Sequence, residues 1–598
     1  MKIDRKTVQG SIPEPVIRLK IPSPPAARPA GLGVKPASAT ESVKPIEPSD
    51  PRDLPGWSAL LLREESTDVL SHEFSFPDGH GKTFKKEVGA ALTASEVVKK
   101  LREYTTALPR RPHIAAAGID RLRDAANAVA PLIKAKKPGW KPDSVAQHPS
   151  VFVTPNGVYP NEDSYRWSSN ATNQLGASRG TLRSWQREVA SIGKQSNYVA
   201  FCIMAAAAAQ LVRFATLSEF PVFNLVGDSS VGKTTAARAA LSTCGPPETI
   251  KSWDFKSRAL EEVAADYNDF PLILNAAERT AERERVLVLN RITHMLAEGT
   301  GTTRSSYVQD HLPNHTWRVL VISTSNLTGA EMAGASFTWE DQDRARFIDI
   351  PVNGAEVGGI FDRLAKPLKE NAATDLVKEL EQAVQNHYGT FLPAWINYLM
   401  TIDVQSIVAA YMKEYLDADR PSPGVDERIA TKFALVYAAG KMGVDAGLLP
   451  WHTRRIDASV GRIHQRSADA RGLPSSTLAN ILIQIAANLD NKLIFPDTVR
   501  GGRVTAKEDF LGVKVVHGGQ SVVGLRTDRL STRFGATLIN PIISWLRQKG
   551  LLIQGQGGKS GCQLAIELIV SGAVINKPRF LLVREDQLRT ELAKLNSR

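Results

Sequence analysis

Eight consecutive residues, Gly227-Asp228-Ser229-Ser230-Val231-Gly232-Lys233-Thr234, satisfy the pattern GxxxxGK[ST] in full. Glycines at its first and sixth positions let backbone N–H groups turn inward around phosphate oxygens. The lysine after the second glycine reaches the β- and γ-phosphates, and the hydroxyl beside it is a ligand for Mg2+. The pattern carries chemistry only between a strand and a helix. Phe220–Val226 is a compact apolar run suited to the strand, and Thr234–Leu241 suits the helix, closed by Gly245-Pro246-Pro247. ATP with Mg2+ is the expected ligand, cradled by Gly227, Asp228, Ser229, Ser230, Val231, Gly232, Lys233, Thr234 and Thr235, with Thr234 on the metal.

Hydrolysis asks for a second apolar strand ending in acids, one to hold Mg2+ and one to orient the attacking water. Phe270–Leu274 is the candidate strand, but Asn275 and Ala276 stand at its end. Asn275 can accept a hydrogen bond from a metal-bound water and brings no charge. Glu278, three residues on, would reach the attacking water if the chain turns helical there; it reads equally as a solvated acid at a helix start. Nucleotide binding is therefore better founded than hydrolysis.

A third strand, Thr316–Ile322, runs into Ser323-Thr324-Ser325-Asn326, and an apolar strand with that polar end suits a sensor of the γ-phosphate or of water. Asn326 is the candidate. Asp341–Arg346 then precedes a strand over Phe347–Pro351. An arginine at that place can serve as a finger for a neighbouring subunit's nucleotide. Arg344 is the first choice and Arg346 the second, with an ordinary ion pair as the alternative for each.

Ahead of the sensor strand lies a helix, Val286–Glu298, then Gly299-Thr300-Gly301, a strand over Thr302–Val308 and a turn over Gln309–His315. That is a hairpin. Arg304, His311, Asn314 and His315 are its candidates for touching nucleic acid, or else an ordinary solvated turn.

The elements that must position these residues divide the chain of 598 residues. Residues 1–55 are rich in Pro, Ser and Ala and are expected to be a disordered tail. Residues 56–165 read as a small α+β domain: strands over Trp57–Glu65 and Val69–Pro77, a helix opening at Thr93, and a hairpin around Asn156-Gly157. Residues 166–358 alternate strands and helices around the phosphate loop, 359–470 are mainly helical, and 471–598 mix both. In the last part Asn540-Pro541 opens a helix that Gly550 closes. Leu551–Ile553, a Gly-rich stretch and Cys562–Leu568 follow as strand, wing and return strand, so that the unit resembles a winged helix. Arg529, Arg533 and Lys559 beside it are candidates for phosphate-backbone contact, or charges that merely keep the domain soluble.

Charge supports that division. Of 74 Lys and Arg against 62 Asp and Glu, a net +12, the stretch Trp451–Arg598 holds 22 against 11. That quarter alone carries +11, leaving the remainder of the chain close to neutral. The three cysteines, Cys202, Cys244 and Cys562, are too scattered for a disulfide framework or a zinc site. The first residues hold no apolar leader, and the longest apolar run, Tyr198–Ala209, is twelve residues where a bilayer needs about 20. A cytoplasmic protein without membrane attachment is expected, with that run as a buried helix.

The order of elements resembles the family catalogued as domain of unknown function 927, an AAA+-type P-loop group whose members look like helicases of phages, plasmids and integrated elements. The resemblance covers roughly residues 95–460. It rests on Lys137–Asp143 (KPGWKPD), the phosphate loop, Trp253, Ala259–Ala264, Tyr267–Leu272, Arg346–Pro351 (RFIDIP), Arg428–Gly440 and Ala446–Leu448. It implies an α/β fold: an AAA+-type P-loop core with a helical lid, between the N-terminal α+β domain and the C-terminal winged-helix-like domain. It further implies a homo-oligomeric ring, such as a hexamer, related in layout to minichromosome-maintenance helicases, with the hairpin in the channel on single-stranded or forked DNA. The sequence departs from that pattern at Asn275 and Ala276. The expected function is accordingly an ATP-dependent DNA helicase or translocase of a mobile element. The alternatives are a nucleotide-binding scaffold that does not hydrolyse and, last, a nucleotide-independent regulator built on the C-terminal unit.

Overall fold

The computed structural model of the protein describes residues 50–596 apart from 51, 78–81, 143–148, 162, 168–173, 254–256, 278–288, 290–292, 302–314, 334–338, 355–356, 365–370, 471–475, 490, 495–502, 518–519, 536–538, 554–560 and 565. The expected disorder of the tail thus falls almost wholly outside the described residues. Gly56–Arg598 forms one unit, separate from Met1–Pro55.

The N-terminal part opens with β1 (Ser58–Glu64), β2 (Leu70–Pro77) and β3 (Thr83–Gly89), followed by the helices Ala94–Leu101 and Pro112–Asn127 and by β4 (Leu132–Ala135). Thr93 starts the first helix through a reciprocal capping box with Glu96. With β8 (Tyr165–Trp167) the strands form one sheet in the order β3-β2-β1-β4-β8. Between β4 and β8, β5 (Gly139–Lys141), β6 (Val151–Thr154) and β7 (Gly157–Tyr159) make a separate antiparallel sheet. Thr154 pairs with Gly157, so the hairpin's two-residue loop is Pro155-Asn156, one position earlier than the sequence suggests. This small sheet packs on the central core: Phe152 meets Trp140 at 5.0 Å and Phe270 at 5.4 Å. Aromatic packing thus continues from this small sheet into the central core.

The central sheet comprises β9 (Val222–Val226), β10 (Lys251–Ser252), β11 (Pro271–Asn275), β12 (Leu320–Ser325) and β13 (Phe347–Pro351), in the order β10-β11-β12-β9-β13. Every pairing is parallel. Such a sheet is covered on both faces, which is why its strands are near-continuous apolar runs. β12 begins four residues later than the sequence pattern suggests and contains Ser323, Thr324 and Ser325, all buried. Polar side chains are tolerated inside it because they find partners: Trp253 Nε1 donates to Ser323 Oγ at 3.0 Å.

Behind the sheet runs Asn197–Ala208, a helix whose every residue is buried. The segment Asn197–Phe214 is apolar and long enough to cross a membrane, yet 94% of it lies inside the protein. Helices Val425–Asp445 and Thr453–Asp469 lie against it. Gly440 permits that approach, since a Cβ there would come within 2.4 Å of Met204 Sδ. Helices Ala372–Asn386, Phe391–Leu399 and Val404–Asp419 complete the helical stretch.

The C-terminal part has hydrophobic clusters of its own. One sheet holds β14 (Leu493–Ile494), β16 (Gly512–His517), β17 (Gln520–Leu525), β18 (Leu552–Ile553), β19 (Cys562–Gln563) and β22 (Arg579–Arg584); β15 (Arg503–Ala506), β20 (Glu567–Val570) and β21 (Ala573–Asn576) form another. The helix Ile539–Gln548 ends at Gly550 (φ +66°) as expected. The expected strand–wing–strand pairing differs. β18 and β19 both pair with β22, and Glu567–Val570 joins the other sheet. The pairing partner was a strand sixteen residues or more away in sequence, which no local pattern specifies.

Candidate functional site

β9 delivers the chain to Gly227, and the helix Lys233–Leu241 carries it away. Between them Ser230 and Gly232 take φ of +64° and +92°. Alternation of right- and left-handed residues points successive N–H groups to one side and makes an anion-binding concavity. The helix N-terminus adds its partial positive charge. Two close approaches explain the glycines: a Cβ on Gly227 would lie 3.0 Å from Val352 O, and one on Gly232 would lie 2.8 Å from the Ile360 side chain. The segment after β13 folds over the loop, with Ile360 N–H donating to Val231 O at 3.0 Å.

Lys233 is almost fully buried. Its ammonium donates to Gly227 O at 2.8 Å, Asp228 O at 2.6 Å and Asn326 Oδ1 at 3.0 Å. Asn326 in turn donates from Nδ2 to Ser229 Oγ at 3.1 Å. The end of β12 thus reaches both sides of the phosphate loop. Thr234 Oγ1 donates to Asn275 Oδ1 at 3.0 Å, and Thr324 Oγ1 donates to the same oxygen at 2.5 Å. Ala276, at φ +60°, donates its N–H to Thr324 Oγ1 at 3.2 Å. Thr324 is the member of this group that sequence reading did not single out. Thr235 Oγ1 turns instead to Glu381 at 3.0 Å, so only its backbone faces the cradle. Glu278 lies outside the described residues.

An acid of β13 supports the turn that follows β12. Asp349 on β13 accepts from Asn224 Nδ2 at 2.7 Å and from Gly329 N–H at 3.0 Å. Burial pushes its carboxyl up to about 7, against the pull of those two donors.

At the opposite end of the sheet, Arg344 pairs with Asp341 at 2.6 Å within the helix Asp341–Arg346 and keeps 28% of its side chain exposed. Arg346 is different. Its Nε lies 3.0 Å from Glu219 and its Nη2 3.7 Å from Glu298. Arg428 and Lys432 also pair with Glu219. Burial alone would raise the Glu219 carboxyl, but Arg428, Lys432 and Arg346 hold it below its usual value. Burial pushes the Lys432 ammonium down to about 8. Arg346 is thereby tied to other segments of its own chain, whereas the partly exposed Arg344 pairs only within its own helix among the contacts described. The pairing of Glu219 with Arg346, Arg428 and Lys432 could not be found from sequence, since they come from separate segments.

Of the expected hairpin, only the two ends lie among the described residues, and they are bonded to each other. Trp317 N–H donates to Gly299 O at 2.9 Å and Gly301 N–H to His315 O at 2.8 Å. Arg304, His311 and Asn314 lie outside the described residues, as does Lys559. In the C-terminal part Arg529 donates to Glu508 O at 3.2 Å and sits over the Phe510 ring, and Arg533 sits over the Phe534 ring.

Residues 123–310 match the family model described as Domain of unknown function (DUF927). That stretch includes the small β5–β7 sheet, the phosphate loop and β11. A solved structure described as "SCCmec type IV Cch - active helicase" is similar over 90% of this chain and 95% of its own, with a TM-score of 0.50 and 16% identity. The likeness is one of fold. No curated protein matches the chain.

Proposed function

We propose that this protein is an ATP-dependent DNA helicase or translocase that works as a homo-oligomeric ring. One observation carries the reading. Lys233, Thr234, Asn275, Thr324 and Asn326 converge at the C-terminal ends of three adjacent parallel strands, with Asn326 and Asn275 each bonded to the phosphate loop or its helix. The strand order, with the sensor strand between the loop strand and β11, supports an AAA+-type core. Fold similarity to a protein described as an active helicase favours work on DNA over simple nucleotide storage.

The residues fit ATP with Mg2+. The concavity at Ser230–Gly232 is shaped for phosphate oxygens, and the acceptors now held by Lys233 are the kind phosphates replace. Thr234 would ligate the metal and Asn275 would hold one of its waters. The metal's contribution when bound is to neutralise charge between the β- and γ-phosphates. Asn326 would orient the γ-phosphate, Glu278 the attacking water, and Arg344 would act on the nucleotide of a neighbouring subunit. DNA contact is assigned to the hairpin (Arg304, His311, Asn314, His315) and to the basic C-terminal part (Arg529, Arg533, Lys559).

A second reading has its own observation. Asn275 and Ala276 leave the end of β11 without charge, and Asn275 Oδ1 already serves two hydroxyls. A nucleotide-binding scaffold that does not hydrolyse would look like this. ATP turnover measured with and without single-stranded DNA separates the two: DNA-stimulated hydrolysis is expected, abolished in Glu278→Gln. Tight ATP binding with no turnover would establish the scaffold, and turnover that survives Glu278→Gln would remove the role given to that residue.

A further inference from the structure

The helix described over residues 293–298 ends at the hairpin root, and it is pinned along the arginine-bearing helix Asp341–Arg346 at two points. His294 Nε2 lies 3.3 Å from Asp343 Oδ1, and Glu298 Oε1 lies 3.7 Å from Arg346 Nη2. Asp343 is itself almost fully buried and caps its own helix through Glu340 N–H at 2.9 Å. From Arg346 the charges continue to Glu219 and then to Arg428 and Lys432 on Val425–Asp445. Lys432 also donates to Ala345 O, gripping the same short helix.

The root has little freedom to move independently. Gly299, at φ +74°, fits so closely that a Cβ would lie 2.3 Å from the Phe220 ring and 2.6 Å from Trp317 O. Phe220 N–H donates to Ala297 O at 2.8 Å, and Phe220 directly follows Glu219. A displacement of the root is therefore delivered to residues 219–220, to Arg346 and to the helix holding Arg344.

We propose that this polar seam, His294 and Glu298 against Asp343 and Arg346, with Glu219 linking to the helical stretch, is a relay through which strain at the hairpin root positions Arg344. Its members are positioning residues, and the inference rests on the ATPase reading above. Rigid elements joined by ion pairs are the physical means by which coupling travels. The seam also gives Arg346 a reason to be an arginine that the finger assignment does not supply.

The test compares basal and DNA-stimulated ATP turnover in the full-length protein, using a single-stranded oligonucleotide. His294 and Glu298 are both partly exposed, so the double variant His294→Asn/Glu298→Gln removes the root side of the seam with little threat to folding. Basal turnover and DNA affinity are expected to stay close to wild type, while stimulation by DNA falls by about threefold to tenfold. Arg428→Gln, which frees the other arm from Glu219, is the second variant and is expected to lower stimulation likewise. A merely structural role would move basal and stimulated rates together. Wild-type stimulation in both variants, or proportional loss of both rates, overturns the relay alone. Absence of turnover in the wild type overturns the ATPase reading and the relay with it.

Discussion

The two ends of the central sheet are furnished in opposite ways. At the C-terminal ends of the strands the polar groups are small and neutral, Thr234, Asn275, Thr324 and Asn326, around a single ammonium. At the N-terminal ends they are fully charged and matched. Asp269, wholly buried, takes both arms of Arg318 at 2.7 and 2.8 Å and also the N–H of Trp140 at 3.0 Å. Glu219 gathers three cations. Buried charge that is already paired holds segments together and has nothing left to offer a ligand. Neutral donors and acceptors around one cation leave room for charge that arrives with a nucleotide. The comparison assigns architecture to one end and chemistry to the other.

That division can be broken most forcefully at Asp269. Removing one partner of a buried pair strands the other, so Asp269→Ala should cost roughly 3–5 kcal/mol of stability. Chemical denaturation would show it. Nucleotide affinity in the fraction that remains folded should be unchanged; a folded Asp269→Ala protein with lost ATP affinity would contradict the separation of the two ends. Lys233→Ala is the mirror experiment. It should weaken ATP binding by about 100-fold, near 2.7 kcal/mol, with a melting temperature close to wild type. Calorimetric titration reads the first and thermal unfolding the second.

The effect that is smallest per unit of the variable changed concerns the acid beneath the turn that follows β12. The folded-state pKa of Asp349 is raised by burial, from 3.8 to about 7. The unfolded chain therefore binds fewer protons between those values, and this residue's contribution to stability falls as pH rises from about 4 to 7. The slope is at most about 1.4 kcal/mol per pH unit. Asp349→Asn should flatten that part of a stability–pH profile. An unchanged slope would mean that the carboxyl is ionised in the fold.

The phosphate-loop end was legible in the sequence because its parts are short and contiguous. Gly227–Thr234 carries its own pattern, and Asn326 announces itself as the polar end of an apolar strand. Even the neutral Asn275 could be placed, as the residue that closes β11. The charged end was not legible. Glu219, Arg346 and Arg428 are each unremarkable in their own segments, and only the fold brings them within reach of one another. Arg346, the second choice for a finger with an ion pair as its alternative, pairs with Glu219 and Glu298 of its own chain. The strands β18 and β19 were read as strands, but their pairing was not, for the same kind of reason: their partner β22 is chosen by tertiary packing, and local alternation cannot report it. Helices fared better, since Thr93 and Gly550 mark their own ends.

The buried helix at Asn197–Ala208 has a consequence for how the chain comes into being. The helices that cover it, Val425–Asp445 and Thr453–Asp469, are synthesised more than two hundred residues later. At a ribosomal pace of about 5–20 residues per second, the segment waits roughly 10–40 s for its cover. During that interval the nascent chain displays a stretch that a bilayer would accept, with a mean hydropathy of 1.4 over Asn197–Phe214. Slowing synthesis lengthens that wait in proportion.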